Sequence, residues 1–163
     1  MLPYTKNLPK CLLKIGGETI LERQIKIFHE LNLKNINVIT GYKHEKIKKL
    51  NLDINYIHNS RYQNSNMVYS LFCNKKFFEG SSDLIISYGD IIFNKKIIDI
   101  LLKSKEDINV IIDKNWKKLW DLRFENPLED AESLIYDQNN YLKEIGFKTY
   151  DYKKIQGQYI GLI

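Results

Sequence analysis

Residues 2–25, LPYTKNLPKCLLKIGGETILERQI, decide the fold of this chain. Pro9 fixes its own φ angle and biases the preceding residue toward extended backbone, so Lys10 is expected on a defined loop. The glycine pair at 16–17 predicts a tight turn, and the residues from Glu18 onward predict a helix. The apolar spacing of that helix places these side chains on one face: Ile20, Leu21, Gln24, Ile25 and Phe28. The stretch therefore predicts a loop lysine that leads into an amphipathic helix.

Beyond this stretch the chain alternates strand-like and helix-like patterns. Short β-rich or apolar runs predict strands at 36–40, 54–58, 84–88 and 108–113. Helices are predicted at 43–50, 66–72 and 95–103, and Asn66 is expected to cap the second of them. This alternation is typical of an α/β fold with a parallel sheet, and the nearly continuous apolar run at 84–88 indicates a central strand. Further strands at 141–146 and 158–163 predict an antiparallel extension, and no linker divides the predicted single domain of residues 1–163.

Composition narrows the class of protein. The chain has 163 residues, of which 44% are hydrophobic and 28% charged, as expected of one globular domain. Its net charge is +5, but most of the basic residues are scattered lysines, so a nucleic-acid surface is not expected. No apolar run reaches the ~20 residues of a membrane span. Cys11 and Cys73 are far apart, which favours a reducing cytoplasm over a disulfide scaffold.

The first candidate site combines Lys10 with Gly89-Asp90, which directly follow the predicted central strand. Open α/β sheets bind ligands outside the carboxyl ends of their strands, and a carboxylate there can hold Mg²⁺. Gly89 would let the backbone or a ligand approach closely. A lysine held on a loop can reach a phosphate. The alternatives are an ordinary Gly-Asp turn and a surface lysine in a lysine-rich chain.

The second candidate site lies in a polar stretch that contains Trp116, Trp120 and Arg123. Indole faces can hold an ammonium group by cation–π attraction, worth about 0.5–2 kcal/mol. A guanidinium group can bind a phosphate or phosphonate through two hydrogen bonds. Together they would suit a zwitterionic acceptor such as phosphocholine or aminoethylphosphonate. The alternative is that the two indoles, one helical turn apart, pack together.

Three patterns in the chain resemble a known family. The Pro9-Lys10 segment resembles the Pro-Lys-x-Leu segment of nucleotidyltransferases that activate sugar phosphates, phosphocholine and phosphonates, a superfamily that includes the MobA-like NTP transferases. Residues 59–71, NSRYQNSNMVYSL, are similar to a pattern of the phosphocholine and 2-aminoethylphosphonate cytidylyltransferases. The pattern Trp-x-x-x-Trp-x-x-Arg, followed by Asp-Ala-Glu, resembles their phosphonate and capsular-headgroup branch. The resemblance implies a three-layer, Rossmann-like α/β nucleotidyltransferase fold with a mixed, mainly parallel sheet.

The resemblance also implies an activity, a cofactor and site residues. CMP would pass from CTP to a phosphorylated or phosphonate headgroup with release of pyrophosphate, for decoration of a surface polysaccharide or lipid. Lys10 would be catalytic, by neutralising phosphate charge, and Asp90 would bind Mg²⁺. Nucleotide contacts would come from Gly41, Tyr42, Asn66 and Gly89. Acceptor contacts would come from Tyr69, Ser70, Asp113, Trp116, Trp120, Arg123 and Glu132. A homodimer without nucleic-acid or membrane partners is expected.

The chain departs from the family pattern at its start. The related enzymes carry a first strand and a Gly-x-Gly-x-Arg loop just before the Pro-Lys segment, and this chain lacks both. We therefore expect a sequence shortened at both ends that is poorly active by itself. Two alternatives stay open: a sugar-1-phosphate nucleotidyltransferase that uses UTP or dTTP, and a regulatory or binding module that keeps only the fold.

Overall fold

The computed structural model describes residues 3–163 as two compact units, of which the first ends at Asp99 and the second is Ile100–Ile163. The helices are α1 (Ile20–Glu30), α2 (His44–Lys48), α3 (Met67–Leu71), α4 (Lys95–Lys103) and α5 (Trp116–Asp121). The strands are β1 (Lys14–Ile15), β2 (Glu18–Thr19), β3 (Asn37–Thr40), β4 (Asn55–His58), β5 (Ile112–Asp113), β6 (Glu132–Tyr136), β7 (Leu142–Lys148) and β8 (Gln158–Tyr159). None of the helices found in residues 3–163 is long and apolar enough to cross a bilayer.

Helix α1 forms because its first turn is capped and one of its faces is apolar. The Thr19 hydroxyl accepts a hydrogen bond from the backbone N–H of Glu22, whose carboxylate accepts one from the backbone N–H of Thr19 at 2.8 Å. This capping box fixes the helix start at Ile20, two residues after the predicted start, because Glu18 and Thr19 form β2 instead. The buried face is the predicted one: Ile20, Leu21, Gln24, Ile25 and Phe28.

Strands β3 and β4 lie parallel, with Val38 opposite Tyr56 and Ile39 opposite Ile57. Parallel neighbours need a crossover connection, and the segment that contains α2 supplies it. The buried core of this unit contains one residue before α1, two from α1 and one from α2: Leu12, Leu21, Ile25 and Ile47. The predicted strand–helix–strand order is confirmed, and the carboxyl ends of the two strands lie at the same edge.

The prediction of a regular central strand at 84–88 is wrong. Within the described residues this segment forms no ladder, and its sheet-like contact is a single bridge position at Ser87. An apolar run becomes a strand only where a neighbouring backbone completes the hydrogen-bond ladder, and composition does not specify that neighbour. The pairing of the described strands is mixed, as predicted: the β3–β4 ladder is parallel, while β1–β2, β5–β8 and β6–β7 are antiparallel. A single parallel bridge also joins Leu134 to Ile155.

The second unit is mainly antiparallel. Strand β7 confirms the strand predicted at 141–146, and it pairs with β6, which the sequence analysis did not predict. The strands predicted at 108–113 and 158–163 are reduced to the two-residue pair β5–β8. The core of this unit contains Trp116, Ala131 and Ile155. The predicted antiparallel extension is therefore present, with different strand bounds.

Candidate functional site

The structure brings Lys10 and Asp90 together. The Lys10 Nζ atom lies 3.5 Å from an Asp90 carboxylate oxygen, and the two side chains are 57% and 40% exposed. An exposed ion pair contributes only about 0–1 kcal/mol to the free energy of folding, so this contact adds little to the stability of the fold. Lys10 starts the 3₁₀ turn Lys10–Leu12, which directly follows Pro9. Both charged groups are therefore held in place by backbone and remain open to a charged ligand.

Cys11 and Gly89 are the chain neighbours of the two charged residues, because Cys11 follows Lys10 and Gly89 precedes Asp90. A Cβ atom at Gly89 would lie 3.7 Å from the Cys11 Cβ, which is an ordinary contact, so packing inside the chain does not require glycine there. The role of Gly89 toward a nucleotide stays a prediction. Burial raises the pKa of the Cys11 thiol to about 11, and the negative charge of Asp90 adds to this rise. The thiol is therefore protonated at neutral pH.

Gln24 holds the turn that carries Asp90. Its side chain is only 4% exposed, and its Nε2 atom donates to the carbonyl oxygens of Tyr88 at 2.9 Å and of Ile91 at 2.7 Å. These two carbonyls flank Gly89-Asp90 on either side. Sequence reasoning placed Gln24 on the buried face of α1 but gave it no role. The signal that could have indicated this role is a polar side chain within an otherwise apolar helix face.

The loop that precedes Lys10 is held by two side chains that follow β3. The Tyr42 hydroxyl donates to the carbonyl oxygen of Lys6, and Lys46 Nζ donates to that of Asn7 at 2.6 Å. Tyr42 therefore supports the lysine loop in this structure, and its predicted nucleotide contact stays a prediction. Gly41 is required by packing, because a Cβ atom there would lie 2.5 Å from the Tyr62 Cβ.

A cleft of about 400 Å³ lies in the first unit beside Gly41 and Tyr42. Its full lining is Gly41, Tyr42, Lys43, His44, Glu45, His58 and Tyr62. The imidazoles of His44 and His58 stack at 4.0 Å, and His44 Nε2 lies 2.9 Å from the Glu45 carboxylate. The cleft therefore contains two of the predicted nucleotide residues together with a stacked histidine pair, His44 and His58.

Asn59, which follows β4, organises the next loop. It is buried, and its Nδ2 atom donates to the hydroxyls of Ser65 at 2.9 Å and Ser70 at 3.0 Å. Its backbone N–H donates to the carbonyl oxygen of Thr40, which joins the ends of β3 and β4. Sequence reasoning missed this role, although Asn59 is the first residue of the NSRYQNSNMVYSL pattern. The asparagine fixes one predicted acceptor residue, Ser70.

The predicted helix cap at Asn66 is confirmed. Its side-chain oxygen accepts the backbone N–H of Tyr69 at 2.9 Å, and its carbonyl accepts the Ser70 hydroxyl at 3.1 Å. The guanidinium of Arg61 lies over the Tyr69 ring, 5.4 Å from its centroid. These groups already have partners inside the chain, and their ligand roles stay predictions.

In the second unit, the two tryptophans have different surroundings. Trp116 is buried, packs edge-on against Trp120 with ring centroids 5.8 Å apart, and stacks on Tyr152 at 6.4 Å. Trp120 is half-buried, its Nε1 donates to Asp130 at 3.0 Å, and the Arg123 guanidinium lies 5.2 Å from its ring centroid. The structure thus shows the packing alternative for Trp116, while Trp120 and Arg123 remain accessible candidates for an acceptor.

The remaining predicted acceptor residues are Asp113 and Glu132. A carboxylate oxygen of Asp113 accepts the backbone N–H of Asn115 at 2.7 Å, so it caps the turn before α5. The side chain of Glu132 is exposed, while its backbone carbonyl accepts from buried Gln158 at 2.6 Å. Both carboxylates are at the ends of strands in the second unit, and their ligand roles stay predictions.

The residues at the ion pair fit Mg²⁺ only as part of a nucleotide complex. Among residues 3–163, no three His, Cys, Asp or Glu side chains form a metal-binding group. Mg²⁺ often keeps several waters and uses one or two carboxylates together with substrate phosphates. Asp90 is a partly exposed carboxylate beside a lysine, which matches that mode of binding.

An α/β unit that brings an exposed lysine and a carboxylate together is typical of the class of protein that handles nucleotide phosphates. The chain belongs to the family of the MobA-like NTP transferase domain, whose model matches residues 5–124. It is therefore a nucleotidyltransferase-family chain, as its sequence patterns predicted.

Two known proteins that are similar to this chain are cytidylyltransferases. The CTP:phosphoglutamine cytidylyltransferase of Campylobacter jejuni is 40% identical over an alignment of 170 residues that covers 99% of this chain. The choline-phosphate cytidylyltransferase of Haemophilus influenzae is 33% identical over 95 residues, or 57% of this chain. The chain spans 66% of the first protein and 40% of the second.

A solved structure supports the fold. The inositol-1-phosphate CTP transferase from T. maritima matches with a TM-score of 0.68 and 16% identity, over 97% of this chain and 62% of that one. At this identity the match shows the shared fold alone. It confirms the predicted α/β nucleotidyltransferase fold.

Proposed function

We propose that this chain carries the nucleotide-transfer site of a cytidylyltransferase, which moves CMP from CTP to a small phosphorylated or phosphonate acceptor. The observation that carries the proposal is the 3.5 Å approach of Lys10 Nζ to the Asp90 carboxylate. The names of the Campylobacter jejuni and Haemophilus influenzae relatives support CTP as the donor and a phosphorylated headgroup as the acceptor.

The proposed reaction is a displacement at the α-phosphorus of CTP. An oxygen of the acceptor's phosphate or phosphonate forms the new P–O bond, the bond to the bridging oxygen breaks, and pyrophosphate leaves with the bonding electrons. The Lys10 ammonium binds the phosphate oxygens and offsets their negative charge. Asp90 would hold Mg²⁺, which when bound supplies further charge neutralisation. No covalent intermediate with the protein is needed.

The acceptor is proposed to be a zwitterion. Trp120 offers a half-buried indole beside Arg123, and a guanidinium group suits a phosphate or phosphonate. Such a product would serve to decorate a surface polysaccharide or a lipid. The cytoplasmic location and the homodimer remain predictions.

The test is pyrophosphate release with each of the four NTPs against phosphoglutamine, phosphocholine, aminoethylphosphonate and glucose-1-phosphate. It is run on the 163-residue chain and on the same chain preceded by the first strand and Gly-x-Gly-x-Arg loop of the related enzymes. We expect turnover with CTP and a zwitterion, and a fall in kcat/KM of at least about 100-fold in Lys10→Ala and Asp90→Asn. Lys143→Ala is the matched control, because Lys143 is 58% exposed and also pairs with an aspartate, Asp137, at 3.0 Å.

Two results would contradict the proposal. Turnover only with UTP or dTTP and glucose-1-phosphate would make the chain a sugar-phosphate nucleotidyltransferase. Failure of every pairing, together with no Mg²⁺-dependent CTP binding by calorimetry, would favour a binding module that keeps only the fold.

A further inference from the structure

We propose that Gln24 is a positioning residue of this site, which holds the Asp90 carboxylate where a metal–nucleotide complex can use it. The inference rests on the proposed function for its consequence and on the geometry of the Asp90 turn for its cause. Gln24 would not touch the substrate, because it acts through the backbone of the turn.

The two hydrogen bonds of Gln24 close both ends of the same turn. The Nε2 atom donates to Tyr88 and Ile91, so Gly89 and Asp90 between them cannot shift without breaking at least one of these bonds. The carbonyl of Tyr88 also accepts the Ser87 hydroxyl at 3.2 Å, which is a contact inside the same segment. Gln24 therefore ties both ends of this turn to α1.

Core packing alone does not explain a glutamine at this position. A buried amide costs free energy unless its polar atoms have partners, whereas leucine or methionine would satisfy the apolar face at no such cost. The neighbours of Gln24 on that face, Leu21 and Ile25, are apolar and buried. An amide here is accounted for by the two carbonyls that it holds.

Helix α1 thereby places both charged partners. Leu12, at the end of the turn that Lys10 begins, packs in the core with Leu21 and Ile25 of α1. Gln24, on the same face, holds the turn of Asp90. Helix α1 therefore positions both backbone segments that carry the ammonium and the carboxylate.

The chain contains its own reporter of the turn's position. Cys11 is half-buried and would contact a Cβ at Gly89 at 3.7 Å, whereas Cys73 is exposed. The ratio of their alkylation rates therefore reads the packing of the Gly89-Asp90 turn, with Cys73 as the internal reference.

The chain also contains a matched control for Gln24. Gln158 is a second buried glutamine, 7% exposed, whose Nε2 donates to the carbonyls of Glu132 at 2.6 Å and Gly157 at 3.0 Å. Gln158→Met removes the same kind of hydrogen bonds from Glu132 and Gly157 of the second unit, whereas Gln24 and the Asp90 turn belong to the first. The two variants are compared at temperatures that lie equally far below their own thermal unfolding midpoints.

The first experiment measures alkylation of both cysteines by iodoacetamide, followed by peptide mass spectrometry. We expect Gln24→Met to raise the Cys11-to-Cys73 rate ratio by about tenfold and Gln158→Met to leave it unchanged. An unchanged ratio in Gln24→Met, or an equal rise in both variants, would overturn the positioning role. This readout requires no nucleotide, so it decides the role of Gln24 even if the proposed function fails.

The second experiment measures Mn²⁺ binding in the presence of CTP by electron paramagnetic resonance. We expect Gln24→Met to weaken Mn²⁺ binding by about 10- to 100-fold, as for other residues that orient metal ligands, and Gln158→Met to leave it unchanged. Unchanged Mn²⁺ affinity in a variant with a loosened turn would overturn the functional part. Absence of Mn²⁺–CTP binding in the unaltered chain would contradict the proposed function instead.

If Gln24→Met does not fold, hydrogen exchange in the unaltered chain tests the positioning role instead. We expect the Nε2 protons of Gln24 to exchange with solvent much more slowly than those of the exposed Gln63 in NMR spectra. Equal exchange rates would show that the two hydrogen bonds do not hold the turn.

Discussion

The thiol of Cys11 lies next to both charged residues, because it follows Lys10 and packs beside Gly89. Burial and the charge of Asp90 raise its pKa from 9.0 to about 11. Only the thiolate reacts, so we expect alkylation of Cys11 to rise with pH until about pH 11, with Asp90→Asn shifting the profile to lower pH. The stability that the neutral thiol contributes is present below pH 9.0 and is lost as the pH rises through the folded value.

Peptide mass spectrometry after alkylation at a series of pH values measures this profile. Cys73, which is exposed, provides the control in the same sample. Identical profiles for the two cysteines, or a Cys11 profile that Asp90→Asn leaves unmoved, would show that the ion-pair environment does not act on the thiol.

Gly41 is a second position where one residue decides local packing. An alanine Cβ there would lie 2.5 Å from the Tyr62 Cβ and 2.7 Å from its Cγ, so Tyr62 must move. We expect Gly41→Ala to lower the free energy of unfolding by about 1–3 kcal/mol, the usual cost of overpacking. Urea unfolding measures this, and Gly89→Ala, with its nearest contact at 3.7 Å, is the control that should stay near neutral. Equal stability of Gly41→Ala and the original chain would contradict the packing described here.

At the scale of elements, α1 is the helix on which the site depends, and its capping box is open to test. Thr19→Ala removes the cap and should lower the free energy of unfolding by about 1 kcal/mol, whereas Thr19→Ser keeps the oxygen and should cost less. Hydrogen bonds from Thr19 hold the pKa of Glu22 below its ordinary 4.5. The stability from this carboxylate is therefore present above pH 4.5 and is lost as the pH falls through the lower folded value.

Urea unfolding between about pH 6 and pH 3 checks both effects. Thr19→Ala should lose slightly less stability on acidification than the original chain, because Glu22 keeps the hydrogen bond from the backbone N–H of residue 19 and loses the one from the hydroxyl. A parallel acid response in all three proteins would show that the Thr19 hydroxyl does not act on this carboxylate.

At the scale of the whole molecule, the sequence predicted those features that depend on local chemistry. Helix α1, the strands β3 and β4 and the cap at Asn66 follow from periodicity and capping residues. The sequence also predicted that Lys10 and Asp90 belong to one site, helped by the family resemblance, and the two side chains approach to 3.5 Å. The roles of Gln24 and Asn59 could not be predicted, because their partners are backbone carbonyls and hydroxyls chosen by tertiary folding. The missing ladder at 84–88 has the same origin.

The sequence predicted a single domain, whereas the chain forms two compact units. Whether the two units unfold together can therefore be measured. Each has its own apolar cluster, and the second, Ile100–Ile163, is small enough to be only marginally stable by itself. Both cysteines lie in the first unit and both tryptophans in the second, so thiol protection and tryptophan fluorescence report the units separately. We expect the fluorescence transition at a lower urea concentration than the loss of Cys11 protection. Coincident midpoints would instead show one cooperative domain, since two-state unfolding requires that all probes report the same transition.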